Sequence, residues 1–191
     1  MLPSIKFERK NGKENFENIN KQITLLDFWT WAYSDLMDNT QRGKLAEYIV
    51  AIAIDKENTI NDSFSKYDLT TETGIKIEVK ASAYLQSWKQ KNYSNIVFNI
   101  PETYGWNSED NVYESEKKRQ SDIYVFCLLN HKDKQTVNPL DIKQWEFYIL
   151  KTSIINEKCC KSKTISLSKL EKLGAIKCVH KDILKVINQL T

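Results

Sequence analysis

A short alternating segment places a carboxylate and an ammonium group side by side. Apolar and charged residues alternate strictly between residues 75 and 80, which predicts a half-buried strand. Glu78 and Lys80 then point to the same face, because alternate side chains of a strand share a face. Asp68 lies ten residues before Glu78, and a turn around residues 73–74 would run the two segments antiparallel. We therefore expect the two carboxylates to converge.

Two convergent carboxylates make a site for a hard divalent cation. Mg²⁺ commonly takes one or two carboxylates together with waters and the phosphate oxygens of a substrate. A lysine beside such an ion can orient an attacking water and stabilise charge that develops on a phosphoryl group. Without a nearby His or Cys, the ligands favour Mg²⁺, with Mn²⁺ as a substitute, over zinc. The alternative is a solvated charged strand, with Asp68 as an ordinary turn residue.

A third carboxylate lies in a segment that predicts a helix over about residues 41–56. This helix is apolar nearly all round, and between Leu45 and Ile54 its only charged side chain is Glu47. A buried carboxylate must be paired, protonated or bound to a metal, because desolvating a lone charge is costly. Glu47 therefore either joins the same site, pairs with Arg42 or Lys44, or lies on an exposed stripe.

The elements that must position these groups predict one α/β domain over residues 1–191. The continuous apolar run from Ile123 to Leu129 is typical of a central strand covered on both faces. We expect a central mixed sheet flanked by helices, with a catalytic core at about 24–150 and a basic extension at about 151–191. The other predicted elements are a helix opened by Thr24 and Asp27 that runs to about Met37 and packs through Trp29 and Trp31, strands at 96–100 and 146–150, and helices at about 167–173 and 182–190.

Charge is unevenly distributed along the chain. The net charge is +3, yet residues 151–191 hold nine lysines against three carboxylates, a net charge of +6. That segment either meets a polyanion or forms a solvated lysine face. Residues 1–10 lack the apolar core of a signal peptide and no apolar stretch could span a bilayer, so we expect a cytoplasmic protein. The four cysteines have no zinc-binding spacing and predict reduced thiols.

The order of these residues resembles the PD-(D/E)xK nuclease superfamily. The helical Glu47, then Asp68, then the run Glu78-Val79-Lys80 match its pattern. This superfamily includes many restriction endonucleases, archaeal Holliday junction resolvases and repair nucleases. The resemblance covers roughly residues 41–100 and departs from the motif at Tyr67, where the name of the motif has proline.

The resemblance implies a role for each of these residues. Asp68 and Glu78 would be metal ligands, with the backbone carbonyl of Val79 as a third. Lys80 would be the catalytic lysine, and Glu47 the helix glutamate that many members add to the site. The implied fold is a mixed sheet with helices on each side, and the implied reaction is phosphodiester hydrolysis by a metal-activated water.

Residues that could contact the substrate lie beyond this motif. Gln86 either touches a phosphate or a water, or is an ordinary surface amide, and we expect Trp88 in the core rather than on a base-stacking surface. The polar segment 101–120 predicts a long loop that either binds substrate or is simply solvated. The basic end of this loop consists of Lys117, Lys118 and Arg119.

The sequence therefore predicts a metal-dependent endonuclease that acts on DNA, most naturally double-stranded DNA, with restriction as a fitting role. A structure-selective repair or recombination nuclease is the alternative within the enzymes. A nucleic-acid-binding module without catalysis and a surface ion-pair network are the alternatives outside them. Restriction-type cleavage usually needs two active sites, so a homodimer is expected.

Overall fold

The strand at the centre of the fold is β6 (Ile123–Leu129), and all its residues are buried. It pairs in parallel with β2 (Lys76–Ala83) and antiparallel with β7 (Trp145–Lys151). With β1 (Leu69–Thr70) and β9 (Ile176–Cys178) at its edges, the sheet has the order β1-β2-β6-β7-β9. The expected α/β fold with a central mixed sheet flanked by helices is confirmed.

The computed structural model describes residues 5–62, 64–107 and 111–191. Its α-helices are α1 (Leu25–Tyr33), α2 (Asn39–Ala53), α3 (Thr152–Cys159), α4 (Leu167–Lys172) and α5 (Ile183–Leu190). Outside the central sheet its strands are β3 (Val97–Asn99), β4 (Thr103–Asn107), β5 (Val112–Lys118) and β8 (Thr164–Ser166). These strands form two antiparallel pairs, β3 with β8 and β4 with β5. None of the described helices is long and apolar enough to cross a membrane.

Each face of the central sheet carries its own hydrophobic core. On the first, the α2 face, Ala46 of α2 and Ile187 of α5 pack in one cluster with Val125. On the second, the α3 face, Ile155 of α3 packs in another cluster with Phe126, and α4 and the β3–β8 pair join it. The basic C-terminal segment is thus divided between the two faces of the sheet, and it does not form one continuous surface.

The turn between β1 and β2 brings Asp68 back alongside β2. The two strands are antiparallel, with Leu69 opposite Ile77. Gly74 closes the turn with φ +86°, a left-handed conformation that a side chain would strain. The predicted antiparallel return is confirmed.

Helix α2 is less buried than its sequence predicts. Ala46 and Val50 pack against the sheet, but Tyr48 and Ile52 are 49% and 40% exposed. The sheet covers only one side of the helix, so its apolar character all round does not translate into burial all round. The helix begins at Asn39 because the side chain of Asp38 accepts the first free backbone N–H groups.

Helix α1 also packs less than predicted. The side chain of Thr24 and that of Asp27 form the expected capping box, but the helix ends at Tyr33 and none of its residues is buried. Trp31 is 84% exposed. The prediction that Trp31 packs onto the body is therefore wrong, whereas Trp29 is half-buried and its ring lies beside Gly12.

Residues 103–107 and 112–118 of the predicted loop form two paired strands. Strands β4 and β5 pair antiparallel, with Trp106 opposite Tyr113. Aromatic residues favour strands, and the charged residues between them obscured that pattern in the sequence. Residues 108–110 of the predicted loop lie outside the described residues.

Candidate active site

Glu78 and Lys80 lie together on β2. Their side chains point to the α3 face, where the parallel register sets them beside Tyr124 and Phe126 of β6. The Nζ of Lys80 donates to the Oε1 of Glu78 at 2.5 Å. Their side chains are 26% and 20% exposed, so the pair is open to solvent only in part. The predicted same-face geometry of carboxylate and ammonium is present.

The surroundings of Glu78 are rich in negative charge. Burial is the largest cause that raises the pKa of its carboxyl group. Lys80 opposes that shift, whereas the charges of Asp68 and Glu47 add to it, and the net effect raises the pKa. Burial therefore outweighs the help of Lys80, and a bound cation would stabilise the charged form of a carboxylate in this position.

Asp68 is fixed at the start of β1 by two hydrogen bonds to β2. Its backbone N–H donates to the carbonyl of Ile77 at 3.0 Å. Its Oδ2 accepts the backbone N–H of Val79 at 2.7 Å. β1 offers no partner to Val79, and the carboxylate of Asp68 takes that place. Val79 is the residue between Glu78 and Lys80 in the sequence.

A backbone carbonyl of β2 is directed to the same edge. β1 begins at Leu69, opposite Ile77, so Val79 lies beyond the last paired residue of that ladder. The N–H and C=O of one residue in a strand point to the same side. Because the N–H of Val79 points to Asp68, its carbonyl also faces the edge where the carboxylate lies.

Glu47 approaches from the α2 face. It lines, together with Asp68, a cavity of about 560 Å³ along the β1 edge of the sheet. Its Oε2 accepts from the Nζ of Lys44 at 2.7 Å and from the Nδ2 of Asn61 at 3.0 Å. The side chain of Glu47 is 14% exposed, against 50% for Lys44. The ion pair that the sequence offered as an alternative is thus formed, at the border of the same cavity.

The atoms at this edge that could bind a metal ion are oxygen atoms. Within the described part of the chain, no three His, Cys, Asp or Glu side chains form a ready-made metal centre. Asp68 and Glu78 converge as a pair, with the carbonyl of Val79 beside them. Mg²⁺ needs only one or two carboxylates and keeps several waters, so these residues fit that ion.

Arg119 is placed elsewhere, in a buried network. Its side chain is fully buried. It donates to the carbonyls of Ile100, Cys160 and Ser162 and to the Oδ1 of Asn156, at 2.8–3.0 Å. The guanidinium group therefore joins the β3 end to the α3–β8 connection, and it is not available to a substrate in this conformation.

Gln86 is also internal. Its amide accepts from Arg42 at 3.4 Å and donates to the Oγ of Ser94 at 3.1 Å, and the residue is buried. Trp88, which we expected in the core, is 55% exposed. The two environments are thus the reverse of those predicted, because periodicity carries no information in an irregular segment.

Lys117 and Lys118 lie on the exposed hairpin strand β5. The Nζ of Lys117 lies 5.0 Å from the centre of the Tyr104 ring, and that of Lys118 pairs with Glu114 at 3.0 Å. Both are open to solvent, unlike Arg119 next to them.

Two neighbours of the site escaped the sequence analysis. Asn61 bridges Lys44 and Glu47 from an irregular segment where no pattern marks it. Tyr124 lies opposite Glu78 in the register, and burial followed by the charge of Glu78 raises the pKa of its phenol. Only the pairing of β2 with β6, which is not local in sequence, could have located it.

Comparison with known proteins supports a nuclease. No curated protein matches the chain. Residues 9–169 match the family described as Bacteriophage T4 endonuclease IV, which covers most of the 191 residues and includes the whole cluster at the edge of β2. The chain therefore belongs to the bacteriophage T4 endonuclease IV family and is a DNA endonuclease.

Proposed function

We propose that this endonuclease hydrolyses DNA with a Mg²⁺ ion held by Asp68, Glu78 and the carbonyl of Val79, with Lys80 as the catalytic lysine. The observation that carries the proposal is the hydrogen bond of Asp68 to the N–H of Val79 at 2.7 Å, next to the Lys80–Glu78 contact at 2.5 Å. It supports an active site of the PD-(D/E)xK type. Mn²⁺ suits the same oxygen ligands and is expected to substitute.

The residues divide the chemistry among them. A bound cation would act as a Lewis acid that lowers the pKa of water and offsets phosphate charge. Lys80 orients the attacking water and stabilises the negative charge that develops on the phosphoryl oxygens. The water oxygen forms the new bond to phosphorus while the bond to the 3′ oxygen breaks, which leaves a 5′-phosphate and a 3′-hydroxyl group.

Glu47 has a supporting part in this proposal. It lines the same cavity as Asp68 and adds negative charge that raises the pKa of Glu78. The Lys44 side of its ion pair is half exposed, which leaves Lys44 free to move away when a cation binds. We expect Glu47 to strengthen cation binding without being indispensable to it.

A matched pair of substitutions tests the site. Glu146 on β7 is, like Glu78, a half-buried strand glutamate, and it pairs with Lys177 at 2.7 Å. Glu78→Gln should abolish cleavage, whereas Glu146→Gln should leave it near the wild-type rate. Lys80→Ala should also abolish cleavage. Equal activity of the Glu78 and Glu146 variants would refute the assignment.

The metal requirement is tested on the wild-type protein. Cleavage should depend on Mg²⁺ or Mn²⁺ and stop when the ion is removed with EDTA. Ca²⁺ should support DNA binding without cleavage, because its looser coordination positions the water poorly. Full activity in excess EDTA would refute a metal-dependent mechanism.

The substrate panel separates the forms that this activity can take. Plasmid, linear duplex, single-stranded and branched DNA distinguish restriction-type cleavage from structure-selective cleavage. Family membership disfavours a binding module without catalysis. A homodimer, if formed, would need a surface other than the apolar sides of α4 and α5, because Leu170 and Ile187 are fully buried in the cores of their own chain.

A further inference from the structure

A closed loop follows the catalytic strand. We call residues 84–94 the β2 loop. The N–H of Ser94 donates to the carbonyl of Tyr84 at 2.9 Å, which closes its two ends. Inside it the N–H of Gln86 donates to Gln90 at 2.7 Å, and the amide of Gln86 reaches Ser94 at 3.1 Å. The loop therefore has a hydrogen-bonded frame of its own.

A second contact fixes the β2 loop to the rest of the molecule. The Nζ of Lys134 donates to the carbonyls of Gln86 and Trp88, at 3.1 and 2.6 Å. Arg42 of α2 reaches the side chain of Gln86 from the other direction. Groups held in this way lose little conformational entropy when they bind a partner.

The charged side chains of the β2 loop and its neighbours are mostly lysines. Residues 81–100 contain no Asp or Glu, and Lys89 and Lys91 lie exposed on the β2 loop. The adjoining segment adds Lys132, which is exposed. The one carboxylate between Lys132 and Lys134, Asp133, already accepts from the N–H of residue 135 and the hydroxyl of residue 136, both at 2.9 Å.

Aromatic rings accompany these lysines. Trp88 and Tyr93 are each 55% exposed. The Nζ of Lys132 lies 4.4 Å from the ring centre of Tyr84 and 5.8 Å from that of Tyr93. The aromatic–lysine surface defined by these observations consists of Tyr84, Trp88, Lys89, Lys91, Tyr93 and Lys132.

This surface lies a short distance along the strand from the candidate active site. Tyr84 follows Lys80 by four residues and packs against the core of the same α3 face. Four residues of extended strand span about 13 Å, at about 3.3 Å each. The near end of the surface, Tyr84, therefore lies about four nucleotide steps from Lys80, at about 3.4 Å each along one strand of duplex DNA.

We infer that the aromatic–lysine surface binds the sugar–phosphate backbone of the DNA substrate on one side of the bond that is cut, about four nucleotide steps away. Exposed lysines release counterions from phosphates, and exposed rings pack against sugars and bases. An acidic protein would satisfy the lysines but would make no use of the rings. The inference rests on the proposed active site, which fixes where the DNA lies.

Binding measured without metal tests the surface independently of cleavage. Lys89→Glu with Lys91→Glu should weaken binding of a 20-nucleotide DNA in EDTA about tenfold and should flatten the salt slope by about 1.8 on duplex or about 1.4 on single strands. The matched control is Lys181→Glu with Lys185→Glu, two exposed lysines of which the first lies just before α5 and the second within it, on the α2 face. The control should bind as the wild type does.

A second variant examines the ring. Exposed Trp88 should change its fluorescence when DNA binds, and Trp88→Phe should remove that change while the protein melts as the wild type does. In a separate experiment polyglutamate competes with DNA for the protein, and it represents an acidic protein partner.

The outcomes separate the surface from the active site. Unchanged binding and salt slope after the double reversal would overturn the surface even if the protein cleaves DNA. Polyglutamate binding that depends equally on Lys89 and Lys91, with no Trp88 signal from DNA, would overturn it in favour of an acidic protein partner. If the lysine variants lose DNA binding but the wild-type protein cleaves no DNA, the surface is confirmed and the proposed active site is refuted.

Discussion

Asp68 has a structural role in addition to its proposed role as a metal ligand, and two substitutions separate the two. Its Oδ2 accepts the N–H of Val79 at 2.7 Å, and Val79 is buried with 5% exposure. Asp68→Ala removes the acceptor and leaves that N–H without its partner beyond the end of β1. Asp68→Asn keeps an oxygen acceptor of the same shape and removes only the charge.

The size of the effect follows from that hydrogen bond. A buried donor left without an acceptor costs about 1–3 kcal/mol, and the half-buried position of Asp68 favours the lower part of that range. One kcal/mol lowers Tm by about 2–4 °C in a chain of this size. Asp68→Ala should therefore melt about 2–8 °C below the wild type. Asp68→Asn should melt within about 2 °C of it.

The assay pairs unfolding with cleavage. Thermal and urea unfolding are measured in EDTA, so that cation binding does not contribute, and cleavage of the same DNA is measured in Mg²⁺. In both variants the cleavage rate should fall by more than the loss of about 10–100-fold that is typical of residues that only support the metal ligands. If Asp68→Asn melts as low as Asp68→Ala, the hydrogen-bond argument is wrong. If it cleaves at the wild-type rate, Asp68 is not a ligand.

Three further variants test the electrostatics. Because the pKa of Glu78 is raised in the folded state, that state holds the proton more tightly than the unfolded chain does. The free energy of unfolding in EDTA should therefore fall as pH rises above about 4.3. Glu78→Gln should remove that fall, as measured by urea unfolding at a series of pH values. Glu47→Gln should cost only about 0–1 kcal/mol in EDTA but weaken Mg²⁺ binding in a calorimetric titration, whereas a loss of about 3–5 kcal/mol would mark a structural pair. Reversal of Lys161, Lys163 and Lys169 to Glu should flatten the salt slope of duplex binding by about 0.9 for each lysine that contacts phosphate, with the cleavage pattern unchanged, and an unaltered slope would end a DNA role for these lysines.

The parts of the fold that the sequence predicted are those set by local patterns. Strict alternation located β2, and a continuous apolar run located β6 with its bounds. The antiparallel return to Asp68 followed from one turn that contains Gly74. These patterns were sufficient to bring Asp68, Glu78 and Lys80 together, because all three lie within one short hairpin.

The parts that escaped prediction depend on contacts between distant segments. β9 has three residues and exists because Cys178 pairs with Phe147 of β7. Arg119 follows two lysines and resembles them in charge, but carbonyls near residues 100 and 160 surround it only after folding. Glu47 shows the same limit, since its position at the cavity depends on how α2 packs against the sheet.

A comparison of two ion pairs within this sheet argues against a purely structural reading of the site. Glu78 with Lys80 and Glu146 with Lys177 are both strand pairs with half-buried carboxylates. Burial raises the pKa of both glutamates, but at Glu146 the donors Lys177 and Tyr148 outweigh it and the net pKa is lowered. At Glu78 burial outweighs the help of Lys80, the charges of Asp68 and Glu47 add to the effect of burial, and the net pKa is raised. A carboxylate whose hydrogen-bond donors outweigh its burial is expected of a pair kept for stability, whereas a half-buried carboxylate that lies near two others is expected of a site that binds a cation and a substrate phosphate.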